Sequence, residues 1–190
     1  MNLAEEKELL RNIKENPERF GDLFDAYYKP IFNYIFRRTG NYDISRDIAA
    51  DTFLKAYLKV QSFVWKDISV QAWLYRIATN EVNYFFRKDK SARLVQETFL
   101  LHAETLFEFD DYKTEKQLLE AELKQDEDFA KIQRCLKKLD IKYQEVLSLR
   151  FFEMKSILEI AEILDKKEGT VKSLLSRGIE KLKSLFNSAT

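Results

Sequence analysis

Only four glycines and two prolines interrupt this chain of 190 residues. A sandwich or barrel needs a turn about every 8–12 residues, and glycine and proline build most of those turns. Long stretches without them remain, and in those stretches apolar residues recur at i, i+3, i+4 and i+7. The pattern predicts an all-α chain.

What the chain lacks narrows the function. Cys135 is the sole cysteine and His102 the sole histidine, so no internal disulfide can form and the usual metal-ligand and nucleophile–base sets cannot be assembled. No Gly-rich phosphate loop occurs. We therefore expect no enzyme, no cofactor and no metal. The start, "MNLAEEKELLRNIKENPERF", has no secretory pattern, and no run nears the roughly 18 apolar residues of a membrane span. A cytoplasmic protein without membrane insertion is expected.

Charge divides the chain. It carries 32 basic and 32 acidic residues and no net charge. Yet positions 97–128 hold eleven acids against three lysines, a net charge of −8, which leaves +8 on the remainder. Neutrality is thus an average over segregated charge and is compatible with a nucleic-acid partner. We read residues 1–92 as a compact helical domain, 93–127 as an acidic linker and 128–190 as a second small helical domain.

Within the first domain, Phe20, Phe24, Tyr27, Ile31 and Ile35 predict a helix over 18–38, which Pro30 should bend or split. Gly40-Asn41 reads as the turn after it, with Asp43 or Ser45 capping a helix over 44–61 that buries Ile48, Phe53, Ala56 and Tyr57. Another helix is predicted over about 70–88. In the second domain, apolar spacing predicts four short helices.

The stretch "ILEIAEILDKKEGTVKSLLSRGIEKL" fits a helix-turn-helix. Ala161 is small where two helices must cross. Asp165 lies at the turn and tolerates a left-handed backbone better than most residues. Val171 and Leu175 face inward, which sets Lys172, Ser173, Ser176 and Arg177 on the outward face of the second helix. Small and basic side chains there permit approach to a major groove. Lys172 and Arg177 suit phosphates, and Ser173 and Ser176 suit base edges. An ordinary helical hairpin with a solvated basic face is the plainer alternative.

Two further faces carry signals. In "WLYRIATNEVNYFFRK", Leu74, Ile77, Ala78 and Phe85 form a core stripe. Trp73, Arg76, Asn80, Asn83, Tyr84 and Arg87 fall on the other side, a mixture that suits an unstacked base and its backbone. Phe63 and Trp65, just upstream, can supply a stacking platform, although Phe63 and Trp73 could equally be core. On the preceding helix, Asp47, Ala50, Asp51 and Leu54 share one face that suits a basic partner helix or simply solvent.

Taken together, these segments resemble an extracytoplasmic-function (ECF) sigma factor of the sigma-70 family. "DIAADTFLKAY" is similar to the family's docking segment for the polymerase clamp helices. "WLYRIATN" resembles its −10 promoter segment, and "EIAEILDKKEGTVKSLLSRGIEKL" its −35 helix-turn-helix. The resemblance implies core RNA polymerase (clamp helices and flap), promoter DNA and an anti-sigma factor as partners. It places Asp47, Asp51, Phe53 and Leu54 in the docking helix, Phe63 and Asn80 at the flipped −10 base, and Thr170, Lys172, Ser173, Ser176 and Arg177 on the −35 helix. Ala50 stands where the family often has Gln, Leu174 where Arg is common, and Lys167 where Ser is frequent.

Geometry tests the arrangement. Sites more than two duplex turns apart lie roughly 70 Å from each other. A flexible chain of the linker's length averages only ~30 Å between its ends, yet extended it reaches about 105 Å. Such a linker must be held open, and a basic channel in the polymerase would do so. The competing readings are a stand-alone helix-turn-helix regulator whose first domain senses or dimerises, and a helical adaptor that binds protein only.

Overall fold

The computed structural model describes residues 3–63, 69–88 and 127–188. Trp65 and the acidic stretch from 93 to 126 lie outside the described residues. Every regular element among the described residues is helical, as the scarcity of turn formers requires.

The chain begins with α1 (Leu3–Glu15), whose acidic first turn and basic last turn complement the helix dipole. Asn16 caps a single 3-10 turn, with Pro17 at its first position where no amide hydrogen is needed. The next helix, α2 (Phe20–Thr39), runs through Pro30 as one element. This corrects the expected split into two segments. The carbonyl that Pro30 leaves without its usual helical partner belongs to Ala26, which is exposed, so water can serve it. Gly40 ends α2 with φ of 65°, a left-handed conformation that glycine adopts without strain.

Asn41 caps α3 (Tyr42–Val60), its side-chain oxygen accepting from the Ile44 amide at 3.0 Å. Neither Asp43 nor Ser45 serves as the cap. The Ser45 hydroxyl is instead buried against the Thr39 hydroxyl at 2.6 Å, which locks the turn from inside. α4 (Val70–Lys88) completes the first group of helices. Its buried face is wider than the predicted stripe: Tyr75, Thr79, Val82 and Phe86 join Leu74, Ile77 and Ala78. Tyr57 of α3, expected inside, is 45% exposed and meets the Phe20 ring nearly at right angles, with centres 5.2 Å apart.

The second group comprises α5 (Glu127–Lys138), α6 (Ile141–Leu147), α7 (Ile157–Leu164) and α8 (Glu168–Ser188). A π-turn over Ser148–Phe152 prolongs α6. Val146, Leu147, Leu149, Ile160, Ile163, Val171 and Leu175 form its interior, while Phe151 points outward. Gly178 lets α8 approach α6 closely: a Cβ there would meet the Leu147 side chain at 3.2 Å.

The two groups touch through polar side chains. Arg37 pairs with Glu153 at 2.9 Å and also donates to the Phe152 carbonyl at 3.2 Å. Tyr75 donates to the other Glu153 oxygen at 2.7 Å. Lys155 donates to Gln71 at 2.6 Å, and Asn83 donates to Glu145. On the first group's side these contacts fall on α2 and α4, and α4 is the helix that carries its candidate DNA face.

Candidate nucleic-acid interface

The helix pair α7–α8 is set by local chemistry. Ser156 and Glu159 cap the start of α7 reciprocally: the Ser156 hydroxyl accepts from the Glu159 amide at 3.2 Å and the Glu159 carboxylate accepts from the Ser156 amide at 2.8 Å. Burial alone would raise the Glu159 pKa, but the Ser156 hydrogen bonds and the Lys155 charge more than offset it, so it lies below the ordinary glutamate value. Asp165 ends α7 with φ of 53°, in the left-handed region its sequence position suggested. The Lys166 amide then returns to the Ala161 carbonyl at 2.9 Å, which closes the turn.

Val171 and Leu175 are buried in the core. Thr170, Lys172, Ser173, Ser176 and Arg177 are all exposed. Lys172 lies 3.8 Å from Glu168, but both side chains are more than half exposed, so the pair is weak and the ammonium can readily exchange it for another anion. Leu174 is partly buried and packs against the core. Position 174 is therefore spent on packing and not on an outward contact. Lys167 contributes its backbone carbonyl, accepting from the Thr170 amide at 2.9 Å and the Val171 amide at 3.1 Å.

On α4 the expected residues separate into two sets. Asn80, Tyr84 and Arg87 are exposed, with the Lys88 ammonium 5.9 Å from the Tyr84 ring centre. Phe63 and Trp73 are half-buried, and their rings meet at 4.5 Å. Arg76 is engaged elsewhere. It donates to the carbonyls of Ile163, at 3.3 Å, and Glu162, in the last turn of α7. Asp165 stands 4.0 Å from the same guanidinium. Asn83 is likewise committed, accepting from Arg38 at 3.0 Å and donating to Glu145. Arg76 and Asn83 are thus not grouped with Asn80 in one open surface.

On α3, Asp47, Ala50, Asp51 and Leu54 are exposed on one face. The face continues where the sequence reading stopped: Tyr57 is 45% exposed and Leu58 is 68% exposed, more than Leu54 at 56%. Leu58 could have been found as the i+4 neighbour of Leu54.

Known proteins carry the same pieces in the same order. The family model for sigma-70 region 2 matches residues 23–92, and that for sigma-70 region 4 matches residues 129–182. The ECF RNA polymerase sigma factor SigW of Bacillus subtilis is 32% identical over 180 residues, covering 93% of this chain and 94% of its own length. The chain belongs to the ECF sigma factors of the sigma-70 family. It is therefore a transcription initiation factor that directs RNA polymerase to promoters, and it is not an enzyme.

Solved structures agree on the fold. CnrH, in its complex with the cytosolic domain of CnrY, superposes with a TM-score of 0.67 at 22% identity, covering 97% of this chain and 99% of its own. The sigma factor RpoE, solved with the anti-sigma factor NepR from Bartonella quintana, has a TM-score of 0.60 at 22% identity, covering 88% of this chain and 96% of its own. For this sigma factor, no helix among the described residues is long and apolar enough to cross a membrane.

Proposed function

We propose that this sigma factor divides promoter recognition between its two domains, residues 1–92 and 128–190, joined by the acidic linker 93–127. The exposed α3 face of Asp47, Ala50, Asp51 and Leu54, extended by Leu58, docks on the clamp helices of core polymerase. Phe63, Trp65, Asn80, Tyr84 and Arg87 handle the −10 element, and Arg76 joins them once it leaves the end of α7. Thr170, Lys172, Ser173, Ser176 and Arg177 enter the major groove at the −35 element, and the second domain also meets the polymerase flap. The linker's negative charge lies in a basic channel of the polymerase.

The observation that carries this reading is the one-sided exposure of α8. Its polar residues stand clear of the protein while Val171 and Leu175 anchor the opposite side. An anti-sigma factor, such as RpoE has in NepR, is a further partner we propose, together with a cytoplasmic location. The two domains touch in the free chain, so reading both elements requires them to separate and release the contacts of Arg37, Tyr75, Arg76 and Asn83.

The test uses holoenzyme carrying Asn80→Ala or Arg177→Ala on templates with base changes at −10 or −35. Asn80→Ala should blunt discrimination at −10 alone, and Arg177→Ala should weaken binding through the −35 end. Equal effects of both variants at both elements would refute the division.

A further inference from the structure

The first helix lies ahead of the residues matched to sigma-70 region 2, and nothing described so far gives it a task. It packs on α2 and α3, with Leu10 and Ile13 in the core. It also buries a charge. Glu6 is only 3% exposed. One of its carboxylate oxygens accepts from the Tyr27 hydroxyl at 2.6 Å, and the other accepts from the Val70 amide at 2.8 Å.

Val70 is the first residue of α4. Its amide is one of the donors that a helix start leaves without an internal acceptor, and a carboxylate there also meets the positive end of the helix dipole. Ser69 serves the same turn, its hydroxyl accepting from the Ala72 amide at 3.0 Å. The start of α4 is therefore fixed by a local cap and by a second one supplied from a helix more than sixty residues away. Burial, together with the Glu6 hydrogen bond and charge, holds the Tyr27 phenol well above the ordinary tyrosine range, so it remains a donor to that carboxylate.

The other end of α1 grips the other side of the α3–α4 connection. Lys14 donates to the Phe63 carbonyl at 2.6 Å, just beyond the end of α3. Positions 6 and 14 of one helix lie about 12 Å apart along its axis. A single rigid element thus sets both Phe63 and the first turn of α4. The Phe63–Trp73 ring contact at 4.5 Å joins those two places, and Asn80 follows two turns along the same helix.

We propose that α1 is a positioning element for −10 recognition. Glu6 fixes the start of α4 and Lys14 fixes Phe63, so that Phe63, Trp73 and Asn80 meet the unpaired strand as one preset surface. Glu6 and Lys14 are positioning residues and do not touch DNA. A surface ordered before DNA arrives loses less entropy on binding it. This inference rests on the −10 reading of Phe63 and Asn80 given above.

The test compares holoenzymes made with Glu6→Ala, Glu6→Gln, Lys14→Ala, Asn80→Ala and the double variant Glu6→Ala/Asn80→Ala. The template is a promoter from which the wild-type holoenzyme initiates. Core affinity and the rate of strand opening, followed by a fluorescent base analogue in the −10 region, are both measured. Glu6→Ala should slow opening about five- to tenfold, the size of a lost helix cap, while core affinity stays within about twofold. Glu6→Gln should recover most of the rate, because its amide oxygen can still accept from Val70 and its amide hydrogen can donate to the Tyr27 oxygen. If Glu6 acts through the Asn80 surface, the double variant should be little slower than Asn80→Ala alone.

Additive losses in the double variant would overturn the proposal, as would normal opening by Glu6→Ala where Asn80→Ala is slow. Normal opening by Asn80→Ala would instead refute the −10 reading itself and take this inference with it. Should Glu6→Ala also lose core affinity, its fold has failed. The same cycle built on Lys14→Ala, an exposed position, then decides the matter.

Discussion

Tyr75 of α4 donates its hydroxyl hydrogen to Glu153, just beyond the α6 π-turn, at 2.7 Å. Arg37 of α2 holds the second oxygen of that carboxylate at 2.9 Å, and the Glu153 side chain is only 7% exposed. Burial, then the neighbouring carboxylate, pushes the Tyr75 pKa well above the ordinary tyrosine value, so the hydroxyl keeps its hydrogen for this bond. One acid from the second group of helices thus ties together two helices of the first.

Glu153→Ala should loosen that tie. It removes the acceptor for two donors, a loss of about 1.5–3 kcal/mol for hydrogen bonds to a charged group. In the free protein, fluorescence transfer between labels on α3 and α8 should report a larger mean separation, and amides of α7 should exchange faster. An unchanged distance would mean that the remaining contacts between the groups, those of Arg76, Asn83 and Lys155 among them, are enough to hold the two together.

Arg177→Ala should weaken holoenzyme binding to promoter DNA without changing the fold, because Arg177 is exposed and no partner among the described residues loses a bond. One phosphate contact fewer should reduce the slope of log affinity against log salt by about 1. Titrations across a salt series measure that slope directly. A parallel line displaced to lower affinity would remove Arg177 from the phosphate contacts.

Leu54→Asp and Leu58→Asp should reduce core polymerase binding. Both leucines are more than half exposed, so neither change disturbs the interior. Burying one leucine against a partner contributes about 1.5–3 kcal/mol, and an unpaired charge at the same place costs more. Core affinity measured by fluorescence anisotropy should fall at least about tenfold for Leu54→Asp. Full affinity would move the docking surface off this face of α3.

The capping box of α7 gives a pH dependence. The Glu159 pKa is lower in the folded protein than the ordinary glutamate value, so the unfolded chain takes up its proton first as pH falls. The stabilisation is fully present above the ordinary glutamate range and is lost as pH falls through the folded value. Melting curves of wild type and Glu159→Gln should therefore differ near neutrality and converge as pH falls through the folded value. Ser156→Ala, which removes the other half of the box, should cost about 1 kcal/mol at neutral pH.

Sequence pattern made some of these features visible and hid others. Apolar spacing located α2, α3, α4 and the α7–α8 pair, because each buries a continuous stripe. The turn at Asp165 was legible because few residues tolerate its backbone. α1 was not, since the residue it buries most tellingly is Glu6, which any pattern counts as polar. Arg76 and Asn83 were read as part of an outward face. Periodicity assigns a side chain to a face but does not say what packs on that face, and here it is α7 and Glu145. The cap of α3 was misplaced because Asn41, Asp43 and Ser45 all have the chemistry, and only the backbone path selects Asn41.

Run-off transcription tests the account most directly. Core polymerase, with and without this sigma factor, is given promoter fragments carrying intact, −10-altered or −35-altered elements. A discrete transcript should appear only with the sigma factor present, Asn80→Ala should lose the preference for the intact −10 element, and Arg177→Ala should give less transcript than wild type by a margin that narrows as salt is added. A transcript that both variants support as well as wild type, on all three templates, would contradict the assignment of α4 and α8 to the two promoter elements.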